Sequence, residues 1–123
     1  MVFIDYQDTT PIYEQIVNRY KNQIVKGVLK PDEKMPSVRS LAMELSINPN
    51  TIQRAYMELE RQGYIYSVKG RGNFVSANST LKEQKQSEIL KKLDELLKEA
   101  EEAGVDDKLL MDYMKSKNRE DMK

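Results

Sequence analysis

The sequence predicts a mainly α-helical chain with a small β-hairpin in its middle and a pair of helices at its C-terminal end. Apolar residues recur at helical spacing in several separate segments. A glycine-rich stretch at residues 69–72 lies between two short runs of aromatic and β-branched residues. A short polar join at residues 77–80 precedes the last two apolar segments. We therefore expect a first domain at residues 1–77 and a helical tail at residues 78–123.

The first helix is predicted to begin at Pro11, with Thr10 as its N-cap, and to end before Gly27. Its apolar face consists of Ile12, Tyr13, Ile16, Val17, Tyr20 and Ile24. Tyrosines interleaved with isoleucines at this spacing indicate core or interface rather than a ligand site. The loop that follows is expected to include a brief strand near Lys34 and Met35.

Two short helices joined by a tight corner are predicted next. Ser37 is placed as the N-cap of one helix, and Asn48, followed by Pro49, caps the other. The apolar face of the first of these helices is formed by Val38, Leu41, Ala42 and Leu45. In the second, one side carries Ile52, Ala55, Tyr56 and Leu59, and the opposite side carries Asn50, Gln53, Arg54, Met57 and Glu58. This pattern predicts a helix-turn-helix.

The outward side of the second helix has the side chains that read DNA bases. A helix in the major groove contacts bases with its N-terminal residues. Asn50 and Gln53 are suited to bidentate contacts with adenine, and Arg54 to contacts with guanine. An ordinary solvated face is the usual explanation of such a pattern in an isolated amphipathic helix. The residues that follow in the sequence decide between a solvated face and a DNA-reading face.

Those residues predict a β-hairpin. Gly63 ends the helix, residues 64–68 form one strand, and residues 73–75 form the return strand. The turn between them carries two basic side chains, Lys69 and Arg71, among glycines that permit positive φ. Basic residues at the tip of a hairpin that directly follows a helix-turn-helix indicate contacts with DNA phosphates or with the minor groove. The first domain is therefore predicted to be a winged helix-turn-helix.

Composition excludes several classes of protein. The chain has no cysteine and no histidine, which removes disulfides, Ser-His and Cys-His nucleophiles and His- or Cys-ligated zinc. We expect no enzyme activity, no metal and no cofactor. No stretch approaches the length of a membrane span and no signal peptide begins the chain, so a cytoplasmic protein without membrane contact is expected.

The formal net charge is zero, but the charge is unevenly distributed. From Lys34 to Val75, six basic and three acidic residues leave a charge of +3, whereas from Ser79 onward ten basic and twelve acidic residues leave −2. Because phosphate attraction depends on local charge, DNA would contact the middle of the chain.

The tail is predicted to be a helical hairpin. Gly104 is expected to end its first helix and Asp106 to cap its second. A leucine-rich stripe runs along both helices and needs a covering surface. We assign the interface of a homodimer to Ile89, Leu90, Leu93, Leu96, Leu97, Leu109, Leu110, Tyr113 and Met114. The alternative is that the hairpin folds back onto its own winged domain.

Several motifs together resemble the DNA-binding domain of GntR-family bacterial transcription regulators. They are residues 35–42 (MPSVRSLA), 48–56 (NPNTIQRAY), 59–60 (LE), Gly63 and 70–75 (GRGNFV). The short helical tail is similar to that of the YtrA subfamily. The resemblance implies DNA contacts at Arg39, Asn50, Thr51, Gln53, Arg54, Lys69, Gly70 and Arg71. The chain departs from many family members in having uncharged residues near Pro49 and at Gln53, so its base preference is expected to differ from that of better-known relatives.

The functional expectation is a sequence-specific regulator of transcription that binds double-stranded DNA. A homodimer implies an inverted-repeat operator, and the resemblance implies a repressor of an operon that includes ABC-transporter genes. The tail leaves little room for an enclosed pocket, so a small-molecule effector is either absent or bound at an interface, and it is unknown. The competing interpretation is a winged-helix adapter that binds proteins without reading DNA sequence.

Overall fold

The computed structural model describes residues 2–121 and divides into two compact units, Met1–Lys82 and Glu83–Lys123. The elements, in chain order, are α1 (Ile12–Val25), α2 (Val38–Leu45), α3 (Pro49–Arg61), β1 (Ile65–Val68), β2 (Gly72–Val75), α4 (Leu81–Glu102) and α5 (Asp107–Asp121). The prediction of a mainly helical chain with one small β-hairpin is confirmed.

The caps predicted for α2 and α3 are present. The Ser37 hydroxyl accepts a hydrogen bond from the Ser40 N–H at 3.0 Å, and Asn48 Oδ1 accepts one from the Asn50 N–H at 2.9 Å. Each bond satisfies a backbone donor that a helix start leaves without an intrahelical acceptor. Ser46 ends α2 with a left-handed backbone, φ +56°, and so turns the chain toward α3.

The start of α1 differs from the prediction. The helix begins at Ile12, Pro11 occupies the cap position, and no side chain caps it, so the assignment of Thr10 as the N-cap was wrong. Gln15 binds this region instead. Its Nε2 donates to the carbonyl of Thr10 at 2.9 Å and to that of Asp5 at 3.0 Å, and its Oε1 accepts the Asp5 N–H. The buried amide thus holds the N-terminal segment against the helix.

The core of the first unit forms around α3, against which α1 and α2 both pack. Its buried side chains are Val2, Ile16, Val17, Tyr20, Met35, Leu41, Ala42, Ile52, Ala55, Tyr56, Leu59, Tyr64, Ile65, Val75 and Leu81. The Tyr56 hydroxyl donates to the carbonyl of Pro36 at 2.7 Å, and the Tyr56 ring meets Tyr20 edge to face. Because Pro36 directly precedes the cap of α2, this bond ties the start of α2 to α3.

The hairpin is antiparallel, and its register runs from Ile65 opposite Val75 to Val68 opposite Gly72. Lys34 forms a bridge with Phe74, and the Met35 N–H donates to the carbonyl of Asn73 at 2.8 Å. The brief strand predicted near Lys34 and Met35 is present only as a single β-bridge at Lys34. It lies beside β2 and joins the hairpin to the segment that leads into α2.

In the second unit, α4 and α5 are joined by a short turn with the predicted ends. Gly104 has φ +79°, and the Val105 N–H donates to the carbonyl of Ala100 at 2.8 Å. Asp106 Oδ1 accepts the Leu109 N–H at 2.9 Å and so caps α5. No helix within residues 2–121 is both long enough and apolar enough to cross a membrane.

The left-handed residue at the corner between α2 and α3 provides a test of the fold. Replacing Ser46→Gly should raise the free energy of unfolding by about 0.5 kcal/mol, since relief of about 1 kcal/mol of strain is partly offset by glycine's greater freedom in the unfolded chain. Ser40→Gly, the same change inside α2, should lower it by about 0.5 kcal/mol. Urea denaturation followed by circular dichroism measures both values, and equal effects would contradict the backbone assignment.

Candidate nucleic-acid interface

The outward face of α3 is set by what the helix buries. Ile52 and Leu59 are fully buried, so the opposite side faces solvent. Asn50, Gln53 and Arg54 are all exposed there, as the sequence predicts. Together with Tyr13, Met57, Glu58 and Arg61 they line an open groove along α3. The three predicted base-reading side chains therefore lie side by side on one surface.

Arg54 contacts an aromatic ring of α1. Its guanidinium carbon lies 3.8 Å from the centre of the Tyr13 ring, a distance typical of a stacked cation–π contact. Tyr13 is half-buried and packs against the core. Its hydroxyl donates a hydrogen bond to Glu14 Oε1 at 3.1 Å. The residue was predicted to be core or interface, and its pairing with Arg54 was not foreseen because spacing within one helix does not show which helix lies opposite.

The C-terminal half of α3 carries a local ion pair. Arg61 donates to both carboxylate oxygens of Glu58, the bond from Nε measuring 2.9 Å, and Gln62 Nε2 donates to Glu58 Oε1 at 2.7 Å. The Arg61 guanidinium, with help from the Gln62 amide, holds the pKa of Glu58 down at about 2. Glu58 therefore stays ionised and offsets the charge of Arg61, so Arg61 adds little to the positive charge available for phosphate.

The wing presents its two basic residues at the tip. Lys69 and Arg71 are exposed, and the Arg71 N–H donates to the carbonyl of Val68 at 2.9 Å to close the turn. Gly70 and Gly72 have φ of +79° and +115°, values that disfavour any residue with a Cβ. The turn needs glycine at both positions for conformational reasons, independently of any contact that Gly70 makes.

The wing is also joined to α3. The Ser67 hydroxyl lies 2.7 Å from Glu60 Oε2 and 3.0 Å from Asn73 Oδ1. These contacts link β1 and β2 to the helix that precedes them. The hairpin thus keeps a defined direction relative to the exposed face of α3.

The remaining predicted contact residues lie near the helix starts. Arg39 is exposed at the second residue of α2, and Thr51 is half-buried in the first turn of α3. Thr51 lines a second shallow depression with Ile12, Tyr13, Asn50 and Arg54. Both residues are near backbone N–H groups that favour anions at helix N-termini.

The Glu58 ion pair gives a pH prediction. Because the pKa of Glu58 is lower in the folded state than its usual 4.5, the pair stabilises the fold above about pH 4.5, and that contribution is lost as the pH falls toward about 2. Arg61→Ala should raise the pKa of Glu58 toward 4.5, as measured by NMR titration of the carboxyl carbon. Arg54→Ala is the control, because Arg54 lies four residues before Glu58 on the same face, and it should leave the pKa of Glu58 low. An equal rise of this pKa in Arg54→Ala would refute the pairing of Glu58 with Arg61.

Comparison with known proteins agrees with this geometry. The family model for bacterial regulatory proteins of the gntR family matches residues 12–75. The HTH-type transcriptional repressor YtrA of Bacillus subtilis (strain 168) is 44% identical over 117 residues, which cover 94% of this chain and 90% of that protein. The structure of a GntR family transcriptional regulator from Listeria monocytogenes has a TM-score of 0.74 at 38% identity, and the match covers 89% of this chain and 96% of that one.

A DNA complex is among the similar structures. AraR(DBD) in complex with operator ORE1 has a TM-score of 0.53 at 30% identity, and the match covers 62% of this chain and 93% of that one. These relatives are regulators of transcription, in agreement with the expectation that the protein is not an enzyme. On this evidence the chain belongs to the GntR family of bacterial regulatory proteins, with a winged helix-turn-helix fold and a close likeness to YtrA over most of its length.

Proposed function

We propose that this protein is a homodimeric transcriptional repressor that binds an inverted-repeat operator. The observation that carries the proposal is the exposed row of Asn50, Gln53 and Arg54 on a helix whose opposite side is buried. Hydrogen-bonding side chains at the N-terminal end of such a helix are suited to base edges in the major groove. The similar repressor YtrA and the operator complex of AraR(DBD) support this use of the fold.

The contact residues divide into two groups. Asn50, Gln53 and Arg54 read base edges, since their amide and guanidinium groups form the bidentate pairs that distinguish bases. The other group positions the protein on phosphates: Arg39, Thr51, Lys69, Gly70 and Arg71. In this group the two basic residues of the wing, Lys69 and Arg71, are exposed at the turn, and Gly70 allows the backbone to come close to the DNA. The wing therefore adds affinity, and α3 adds specificity.

The tail supplies the dimer contacts in this proposal. The apolar residues of α4 are largely solvent-exposed: Ile89 52%, Leu90 60%, Leu93 44%, Leu96 59% and Leu97 42%. On α5, Leu109 is 56%, Tyr113 62% and Met114 58% exposed, while Leu110 is half-buried. So large an apolar stripe needs a covering surface in solution. A second copy of the same hairpin offers a matching apolar stripe, and two-fold pairing gives a four-helix assembly.

The dimer sets the form of the DNA target. Two copies related by a two-fold axis place two recognition helices on symmetric half-sites, so the operator is an inverted repeat. In this proposal the protein acts in the cytoplasm, where bacterial DNA lies, and represses an operon that includes ABC-transporter genes.

The role of Arg54 is testable with DNA selected from a random duplex pool. Arg54→Ala should weaken binding to the selected sequence by about 1–3 kcal/mol while changing affinity for random DNA much less, because a base contact discriminates and a phosphate contact does not. Lys69→Ala is the matched control and should weaken both DNAs similarly and reduce the salt dependence. Fluorescence anisotropy measures the affinities of the unmodified protein and of both variants for the two DNAs. Equal losses on both DNAs for Arg54→Ala would exclude base reading.

The dimer is tested by sedimentation at micromolar concentration. The protein should sediment at about twice the 14.3 kDa of one chain. Leu93→Asp should convert the dimer to a monomer, because pairing of the apolar stripes would bury the new carboxylate and desolvation of a charge costs free energy. Gln84→Asp introduces the same charge on the opposite side of α4 and should leave the dimer intact. An unmodified protein that sediments as a monomer would contradict the proposal and favour the alternative, in which the hairpin folds back onto its own winged domain.

A further inference from the structure

We propose that Tyr13 is a positioning residue that holds the Arg54 guanidinium in the orientation needed to read a base. The inference rests on the proposed function, in which Arg54 contacts guanine. It adds a residue of α1, outside the helix-turn-helix and the wing, to the set that determines sequence specificity.

The distance between the two groups shows how they meet. With the guanidinium carbon 3.8 Å from the centre of the Tyr13 ring, the planar group lies over the face of the ring. An edge-on approach would place a nitrogen between the ring and that carbon and so hold the carbon farther away. A stacked guanidinium keeps its N–H donors pointing outward in its own plane. The stack therefore leaves the donors that bind guanine O6 and N7 available.

The ring is a suitable platform because it is itself fixed. Tyr13 is half-buried and packs against the core, and α1 packs directly on α3. The Tyr13 hydroxyl donates a hydrogen bond to Glu14 Oε1 at 3.1 Å. The position of the ring is thus set by the packing of two helices rather than by the mobility of one side chain.

The neighbouring carboxylate does not compete for Arg54. Glu58 lies four residues along α3, a spacing at which acidic and basic side chains commonly pair. Its oxygens instead accept from Arg61 and Gln62. An ion pair with Glu58 would draw the Arg54 donors along the helix surface, whereas the Tyr13 ring holds the group by its face. The two contacts together favour a guanidinium presented to DNA.

Positioning has an energetic consequence at binding. A long exposed arginine loses rotamer freedom when it binds a base, and a side chain already held by stacking loses less of it. This smaller loss of rotamer freedom favours the contact of Arg54 with a base and does not affect phosphate contacts elsewhere on the surface. Removing the ring should therefore lower the preference for the selected sequence and leave random DNA nearly unaffected.

The experiment uses the full chain and four variants, Tyr13→Phe, Tyr13→Leu, Arg54→Ala and the double variant Tyr13→Leu/Arg54→Ala. Fluorescence anisotropy gives the affinity of each for the selected duplex and for random DNA. Tyr13→Leu should reduce the selected-to-random affinity ratio about fivefold, the size of a cation–π contact. Tyr13→Phe keeps the ring and should retain the ratio. In the Arg54→Ala background, Tyr13→Leu should cause no further loss of the ratio.

A second measurement is independent of DNA. The side-chain protons of Arg54 should be shifted upfield by the Tyr13 ring current in the NMR spectrum of the free protein. The shift should persist in Tyr13→Phe and disappear in Tyr13→Leu. Thermal unfolding of each variant separates loss of the ring contact from loss of the fold.

The possible outcomes are distinguishable. If Arg54→Ala lowers the ratio but Tyr13→Leu does not, the positioning role is overturned and the proposed function stands. A Tyr13→Leu variant with an increased ratio would show that the stack sequesters Arg54, which also overturns it. If Tyr13→Leu lowers the ratio equally with and without Arg54, the ring acts through another residue, and the positioning of Arg54 is overturned. If no sequence is selected, or Arg54→Ala leaves the ratio unchanged, the proposed function and this inference both fail.

Discussion

The burial of one side of α3 is the constraint on which the rest of the first unit depends. Ile52, Ala55, Tyr56 and Leu59 have almost no exposed surface, and they pack against α1 and α2. Close packing permits one rotational setting of the helix, because any rotation would expose apolar area and bury polar groups. That setting directs Asn50, Gln53 and Arg54 outward. The chemistry of the outward face is therefore a consequence of how the inward face packs.

Local backbone features give α3 its direction. Ser46 turns the chain in a left-handed conformation, Asn48 caps the helix, and Tyr56 binds the Pro36 carbonyl ahead of α2. The wing is connected to the same framework through the Lys34 bridge and the contacts of Ser67. Helix and wing are thus held to one another by short hydrogen bonds, which suits a surface that must match the fixed geometry of duplex DNA.

Electrostatics in this chain act locally. The formal net charge of the chain is zero, yet the segment that carries α2, α3 and the wing is positive. Within it the charge of Arg61 is offset by that of Glu58, so Lys34, Arg39, Arg54, Lys69 and Arg71 supply the remaining positive charge. Under the proposed function, so few basic residues imply modest non-specific affinity, and base contacts would then carry a larger share of specific binding. This balance makes the orientation of Arg54 important.

The sequence by itself determined most of the architecture. Apolar spacing identified the helices, cap residues such as Ser37 and Asn48 marked helix starts, and glycines located the wing turn, because these features depend on neighbours a few residues apart. The exposed positions on α3 followed from the same periodicity. The N-cap of α1 was wrongly assigned to Thr10, since the Gln15 amide that binds the segment is buried and its role is not visible in a spacing pattern.

Only the tertiary structure decided which side chains meet across elements. The stacking of Arg54 on Tyr13 joins residues 41 positions apart, and the bridge of Lys34 to Phe74 spans a similar separation. Periodicity tells which face of a helix is apolar, but the angle at which two helices pack determines which residue at the edge of one face lies against the other. For that physical reason the exposed positions of Asn50, Gln53 and Arg54 were predictable from sequence, while the contact of Tyr13 with Arg54 was not.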